Sequence, residues 1–235
     1  MRTIRVVAGM RRSGIHTVTD WFMSALQGPI LLLNNVRFGA LHGENRCISF
    51  SEGYESATGK DEHIIAIFED KRLPLIRSAP LLKRLAAPGD RQKHLLVLRD
   101  PYNLAASRLR RYRTGRHGTP PKQVAQLWPR HAKHGNEWTP CVYNHWFTDE
   151  AYRQQLAANL GMPSCPALPT HVARAGRGSS FDGLAYDGNA QQMQVLDRWQ
   201  AYTDDAEYRR LVSDPQLAKL SQDICNFANP LEETA

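Results

Sequence analysis

The chain has no long apolar run. Nothing in it approaches the roughly 18 uninterrupted apolar residues of a membrane-spanning helix, so no membrane span is expected. Cysteine is scarce: Cys47, Cys141, Cys165 and Cys225 stand far apart, with no C-x-x-C pair. That excludes a disulfide framework and a cysteine-based zinc site, and points to reduced thiols in a cytoplasmic protein. The opening MRTIRVVAGM has too short an apolar run for a signal peptide, in keeping with that location. Internal repeats and low-complexity tracts are absent. Acidic residues are missing from one stretch: Pro101 to Gly135 contains no Asp or Glu, but eight Arg or Lys.

What is present is a basic chain. Lys and Arg outnumber Asp and Glu by 30 to 23, a net charge of +7. Anionic partners are favoured, whether a multiply charged nucleotide, nucleic acid or an anionic membrane face. With 235 residues, 42% hydrophobic and five Trp, the chain can bury a substantial core. We read residues 1–235 as a single domain. Segments 36–60 and 113–136 read as irregular, and as lids or acceptor-binding insertions.

The sequence is organised around Val6 to Phe22, VVAGMRRSGIHTVTDWF. A β-branched run ends in Gly9, the turn GMRRSG follows, and Ile15, Val18, Trp21 and Phe22 then recur at helical spacing. Strand, glycine loop and helix together aim backbone N–H groups and a helix N-terminus at an anion. Arg11 and Arg12 add fixed positive charge there. The Walker pattern G-x-x-x-x-G-K-[ST] is only half met. Gly9 and Gly14 are correctly spaced, but Ile15 and His16 stand where Lys and Ser/Thr belong. This weakens an ATPase or GTPase reading and removes the usual Mg²⁺ ligand, although Thr17 lies one residue on. The plain alternative is a strand-to-helix turn with surface arginines.

Further strands are predicted at Ile30–Leu33, Ile64–Phe68, His94–Leu98 and Cys141–Tyr143. Helices are predicted over Ser13–Leu26 with Ser13 as N-cap, over Pro80–Leu85, after the Asp100 cap, over Asp149–Leu160 and Asn189–Gln200, and from Pro215. Leu73-Pro74 reads as a turn. No hairpin signature appears. We therefore expect an α/β fold, a three-layer sandwich with a mainly parallel central sheet. Carboxyl ends of parallel strands share one edge. Three ligand-type features fall there: the Gly9–Thr17 loop, Glu69-Asp70-Lys71, and Arg99 with Ser107 two helical turns along. The Arg108 to Arg116 cluster is either a solvated face or an anion-recognising one. His131 and His134 suit one helix face, but no third ligand is evident and no metal site is expected.

These residues resemble the sulfotransferase family, which has a P-loop NTPase-like fold and uses 3′-phosphoadenosine 5′-phosphosulfate (PAPS). The loop Arg11-Arg12-Ser13-Gly14-Ile15-His16-Thr17 looks like the family's 5′-phosphosulfate loop, often K/R-S-G-T-T. Arg99-Asp100-Pro101 with Ser107 looks like its 3′-phosphate motif, and Arg177-Gly178 like its C-terminal R-x-G loop. Cys141-Val-Tyr-Asn144 through Leu160-Gly161 is similar to the family's late strand and helix. The chain departs from the pattern at His16, and Phe68 to Pro74 fits the family's K-T-H-L-P segment poorly.

The resemblance implies in-line sulfuryl transfer from PAPS to a hydroxyl or amine, leaving adenosine 3′,5′-bisphosphate (PAP). Catalysis would be positioning and electrostatic stabilisation, without a metal. Arg12, helped by His16, would neutralise the leaving oxygen. Glu69 or Asp70 would take the acceptor proton, and Lys71 would bind the sulfuryl oxygens. Arg99, Ser107, Arg177 and Gly178 would hold the 3′-phosphate. The expected partner is a small-molecule or glycan acceptor, with lipid and secondary metabolite among the candidates and anionic acceptors included, and nucleic acid is not expected. Two other classes stay open: a P-loop kinase using ATP and Mg²⁺, and a basic polyanion or nucleic-acid binder built on the arginine cluster.

Overall fold

The computed structural model describes residues 2–38, 45–46, 49–50, 62–115, 120–133, 137–174 and 178–232. In chain order the elements are β1 (Thr3–Gly9), α1 (Ile15–Met23) and β2 (Ile30–Asn34), then the short strands β3 (Arg37–Phe38), β4 (Asn45–Arg46) and β5 (Ser49–Phe50). Next come β6 (His63–Glu69), α2 (Leu73–Arg77), α3 (Pro80–Leu85), β7 (Arg91–Leu98), α4 (Pro101–Arg113) and α5 (Gln123–Lys133). The chain continues with β8 (Thr139–Val142), α6 (Tyr143–Thr148), α7 (Glu150–Asn159), α8 (Ala206–Val212) and α9 (Pro215–Cys225). Two 3₁₀ turns, Ala190–Gln192 and Arg198–Tyr202, lie between α7 and α8.

The sheet runs β5-β2-β6-β1-β7-β8. Within this sheet the pairs β2·β6, β6·β1, β1·β7 and β7·β8 are parallel and β2·β5 is antiparallel, while β3 and β4 form a separate antiparallel pair. Strand residues alternate between two cores. Val7, Ile65, Ile67, Leu95 and Val97 face Trp21 and Phe22 of α1 and Trp146 and Leu156 of α6 and α7. Val6, Ala8, Ile64, Ala66, Leu96 and Leu98 face Leu73, Ile76 and Leu82 of α2 and α3. Burial on both faces is why these strands read as continuous apolar runs. A third cluster joins α4, α5, α8 and α9 through Tyr102, Leu109, Trp128, Tyr208 and Leu217. This is the three-layer α/β sandwich with a mainly parallel sheet.

Several local expectations change. The strand read at Cys141–Tyr143 ends at Val142, and Tyr143 already begins α6. Leu73-Pro74 opens helix α2, with proline in its first turn, where a missing N–H costs nothing. The segment read as irregular over 113–136 contains α5, which buries Val124 and Trp128. The helix expected over Asn189–Gln200 is only the two 3₁₀ turns, because Asn103 Oδ1 accepts from the N–H groups of Arg198 (2.8 Å) and Trp199 (3.3 Å). Those amides are withdrawn from any helical ladder. Most of the 36–60 segment, with Arg116, His134 and Arg177, lies outside the described residues.

Candidate active site

Sheet register brings the three corners together. Gly9 stands level with Glu69 on β6 and with Val97 on β7, so all three chains leave the sheet at one edge. After Gly9 the backbone turns through Arg12 (φ 72°) and Gly14 (φ 87°), both left-handed. A Cβ on Gly14 would overlap Cδ2 and Cε2 of Tyr143 and lie 2.9 Å from Cζ, so the turn admits only glycine. Ser13 does not cap α1. Gly14 occupies that position, and the Ser13 hydroxyl turns back toward Gly9, where it is buried without a hydrogen-bond partner among the described residues. Ile15 is buried in the core, which leaves only its backbone to the site, while His16 and Thr17 stay half-buried.

Arg99 reaches this turn. Its Nη1 donates to the Arg12 carbonyl (3.1 Å) and to Ser107 Oγ (3.3 Å), and its Nη2 donates to the Val195 carbonyl. The guanidinium stands 5.4 Å from the Tyr143 ring centroid, a cation–π contact. A second guanidinium, which sequence reading missed, joins it. Arg198 donates to Ser107 Oγ (3.2 Å) and Ser179 Oγ (2.8 Å), and lies 3.5 Å from Asp182 Oδ2. Arg198 carries no local motif. It reaches the site because Asn103 of α4 holds its backbone. Arg12 donates to the Gly178 carbonyl (2.8 Å), so Gly178 stands beside the first corner of the site.

Positive charge here exceeds its compensation. Burial, reinforced by Arg111, Arg99 and Arg108, presses the Arg12 pKa down to about 10, and Glu69 only partly opposes this. Burial, with Arg99 next in weight, brings Arg198 to about 9. Nε of Arg99 and of Arg198 are both buried without a partner among the described residues. Such a constellation stabilises an added anion.

The carboxylates divide into two roles. Glu69 Oε1 lies 3.4 Å from His16 Nε2, and its Oε2 lies 3.4 Å from Arg11 Nε. Burial raises the Glu69 pKa, but the His16 hydrogen bond and the charges of His16, Arg11 and Arg12 outweigh it and hold the group below its ordinary value. Asp70 (φ 55°) is bound instead to Arg108, whose side chain is 1% exposed. Asp70 Oδ1 accepts from the Arg11 N–H (3.1 Å), and Arg108 Nε donates to the Arg11 carbonyl (3.1 Å). The pair thus grips both sides of one loop residue. Lys71 is half-buried, and its carbonyl meets the buried His131 Nε2 at 2.8 Å. In the sequence Arg108 belongs to a basic run that suits either a solvated or an anion-recognising face; its burial shows only in the fold.

No helix among the described residues is long and apolar enough to cross a membrane. No family model and no curated protein matches the chain. Among solved structures it is similar to the mouse sulfotransferase SULT7A1 complexed with PAP, with TM-score 0.54 and 14% identity over 100% of this chain and 89% of that one. It is also similar to the sulfotransferase domain of the Synechococcus PCC 7002 olefin synthase, with TM-score 0.52 and 14% identity over 97% of this chain and 96% of that one. At such identity the likeness speaks to architecture: the chain has the sulfotransferase-like, P-loop NTPase-like α/β fold.

Proposed function

We propose that the chain is a PAPS-dependent sulfotransferase acting on a hydroxyl or amine of a small-molecule or glycan acceptor. The observation that carries this reading is the meeting of Arg99 and Arg198 at the single hydroxyl of Ser107, with Arg99 also touching the glycine loop. The residues fit a nucleotide with an anionic group at each of two ends. Buried positive charge is in excess, and Ser13 Oγ and two guanidinium Nε atoms lack partners among the described residues. Arg11, Arg12, Ser13 and the backbone of Gly14 to Thr17 would hold the 5′-phosphosulfate. Arg99, Ser107 and Arg198 would hold the 3′-phosphate, with Gly178 and Arg177 closing the site. PAPS, when bound, supplies the sulfuryl group and a 5′-phosphate leaving group.

This chain's own residues then do three things. Arg12 and His16 stabilise charge at the departing oxygen. Lys71 orients the sulfuryl oxygens. Glu69, partnered by His16, takes the acceptor proton; in a loose displacement that proton leaves late, so a weakly basic carboxylate suffices. Asp70, already engaged with Arg108, positions the loop. The polyanion-binder reading fits less well, because Arg108 supports the loop from inside. The test is turnover of PAPS against a panel of hydroxylated acceptors. Arg12→Ala and Ser107→Ala should each lower it by about 10²-fold or more. Unchanged rates in folded protein would contradict the assignment.

A further inference from the structure

Immediately beyond Lys71, two residues past the end of β6, lies a cavity of about 200 Å³, lined by Arg72, Leu73, Pro74, Leu127, Arg130 and His131. Leu73, Pro74 and Leu127 give it apolar walls. Arg72 and Arg130 are both exposed, and among the described residues neither guanidinium makes a hydrogen bond or an ion pair. None of the lining side chains is acidic. The cavity is tied to the site, because its lining His131 bonds the carbonyl of Lys71. An apolar cavity of about 150 Å³ holds a benzene molecule, so this space suits one ring or a short alkyl chain. Two arginines with unmatched guanidinium groups among otherwise largely apolar lining residues favour a ligand with a carboxylate at one end.

We propose that this cavity is the acceptor subsite and that the acceptor is a small apolar hydroxy compound bearing a carboxylate. The inference rests on the sulfotransferase reading, since it assigns that enzyme's second substrate. Arg72 and Arg130 bind the carboxylate, Leu73, Pro74 and Leu127 hold the apolar body, and the hydroxyl is left toward Glu69 and Lys71. Neutral esters of the same body lose the charge-assisted contact and bind more weakly.

The experiment is calorimetric and ligand-observed NMR titration of the full chain with 3-(4-hydroxyphenyl)propanoate and with its methyl ester. The acid should bind at least tenfold more tightly than the ester. The double variant Arg72→Gln/Arg130→Gln, altered only at exposed positions, should melt as the wild type does and bind acid and ester alike. Equal binding of acid and ester by the wild type overturns the inference, as does an acid preference that survives the double variant. PAP titration of the same samples reads the parent proposal separately. PAP binding without an acid preference overturns the acceptor subsite alone. An acid preference without PAP binding supports the carboxylate site and overturns the sulfotransferase reading.

Discussion

Gly14→Ala tests the loop geometry from which the site is built. Gly14 holds φ 87°, and a left-handed backbone costs a non-glycine residue about 1–2 kcal/mol. The new methyl also enters the Tyr143 ring. That ring cannot retreat easily, because it packs against Trp146 (5.4 Å between centroids), Phe147 (6.0 Å) and the Arg99 guanidinium (5.4 Å). Overpacking of this kind costs about 1–3 kcal/mol. The expected loss is therefore about 2–5 kcal/mol, or about 4–20 °C in melting temperature for a chain of this size. Gly89→Ala is the control. Gly89 has nearly the same φ, 89°, but nothing lies within 4 Å of its added methyl. It should lose only the backbone part, about 1–2 kcal/mol. Urea denaturation of both variants and the wild type gives the comparison. If Gly14→Ala costs no more than Gly89→Ala, the tyrosine does not wall the loop and the reasoning fails.

Asp70→Asn leaves the buried Arg108 guanidinium without its anion, and should cost about 3–5 kcal/mol in urea unfolding. Replacing Arg108 by Met in the same variant should recover most of that loss, and a loss below about 1 kcal/mol in the single variant would refute the clamp. Glu69 is held below its ordinary pKa of 4.5 in the folded chain. Below that pH the unfolded chain binds more protons than the folded one, so the contribution of Glu69 is full above pH 4.5 and fades as the pH falls through the folded value. Melting curves from pH 6 to 3 should show a shallower acid limb for Glu69→Gln than for the wild type, and parallel limbs would contradict this.

The parts of the fold set by local chemistry were legible in the sequence. β-branched and leucine runs bounded by Gly, Pro and charge gave the strands. Asp100 does cap α4, accepting from the Asn103 N–H at 2.7 Å. Gly14 was legible as a turn residue, but its contact with Tyr143 was not, since that ring arrives from 129 positions on in sequence. Arg198 was hidden for a related reason. Met193, Leu196 and Trp199 recur every three residues, which suits a 3₁₀ turn as well as an α-helix, and Asn103 decides between them. Ser13 misled because hydroxyl residues favour N-caps, whereas the left-handed turn at Arg12 moves the helix start onto Gly14.

The most direct measurement is calorimetric titration of the purified chain with PAP and with ATP, each with and without Mg²⁺, repeated on Arg198→Met. PAP should bind more tightly than ATP, Mg²⁺ should not be needed, and Arg198→Met should remove most of the preference. Tighter binding of Mg²⁺–ATP, or a PAP affinity indifferent to Arg198, would contradict this.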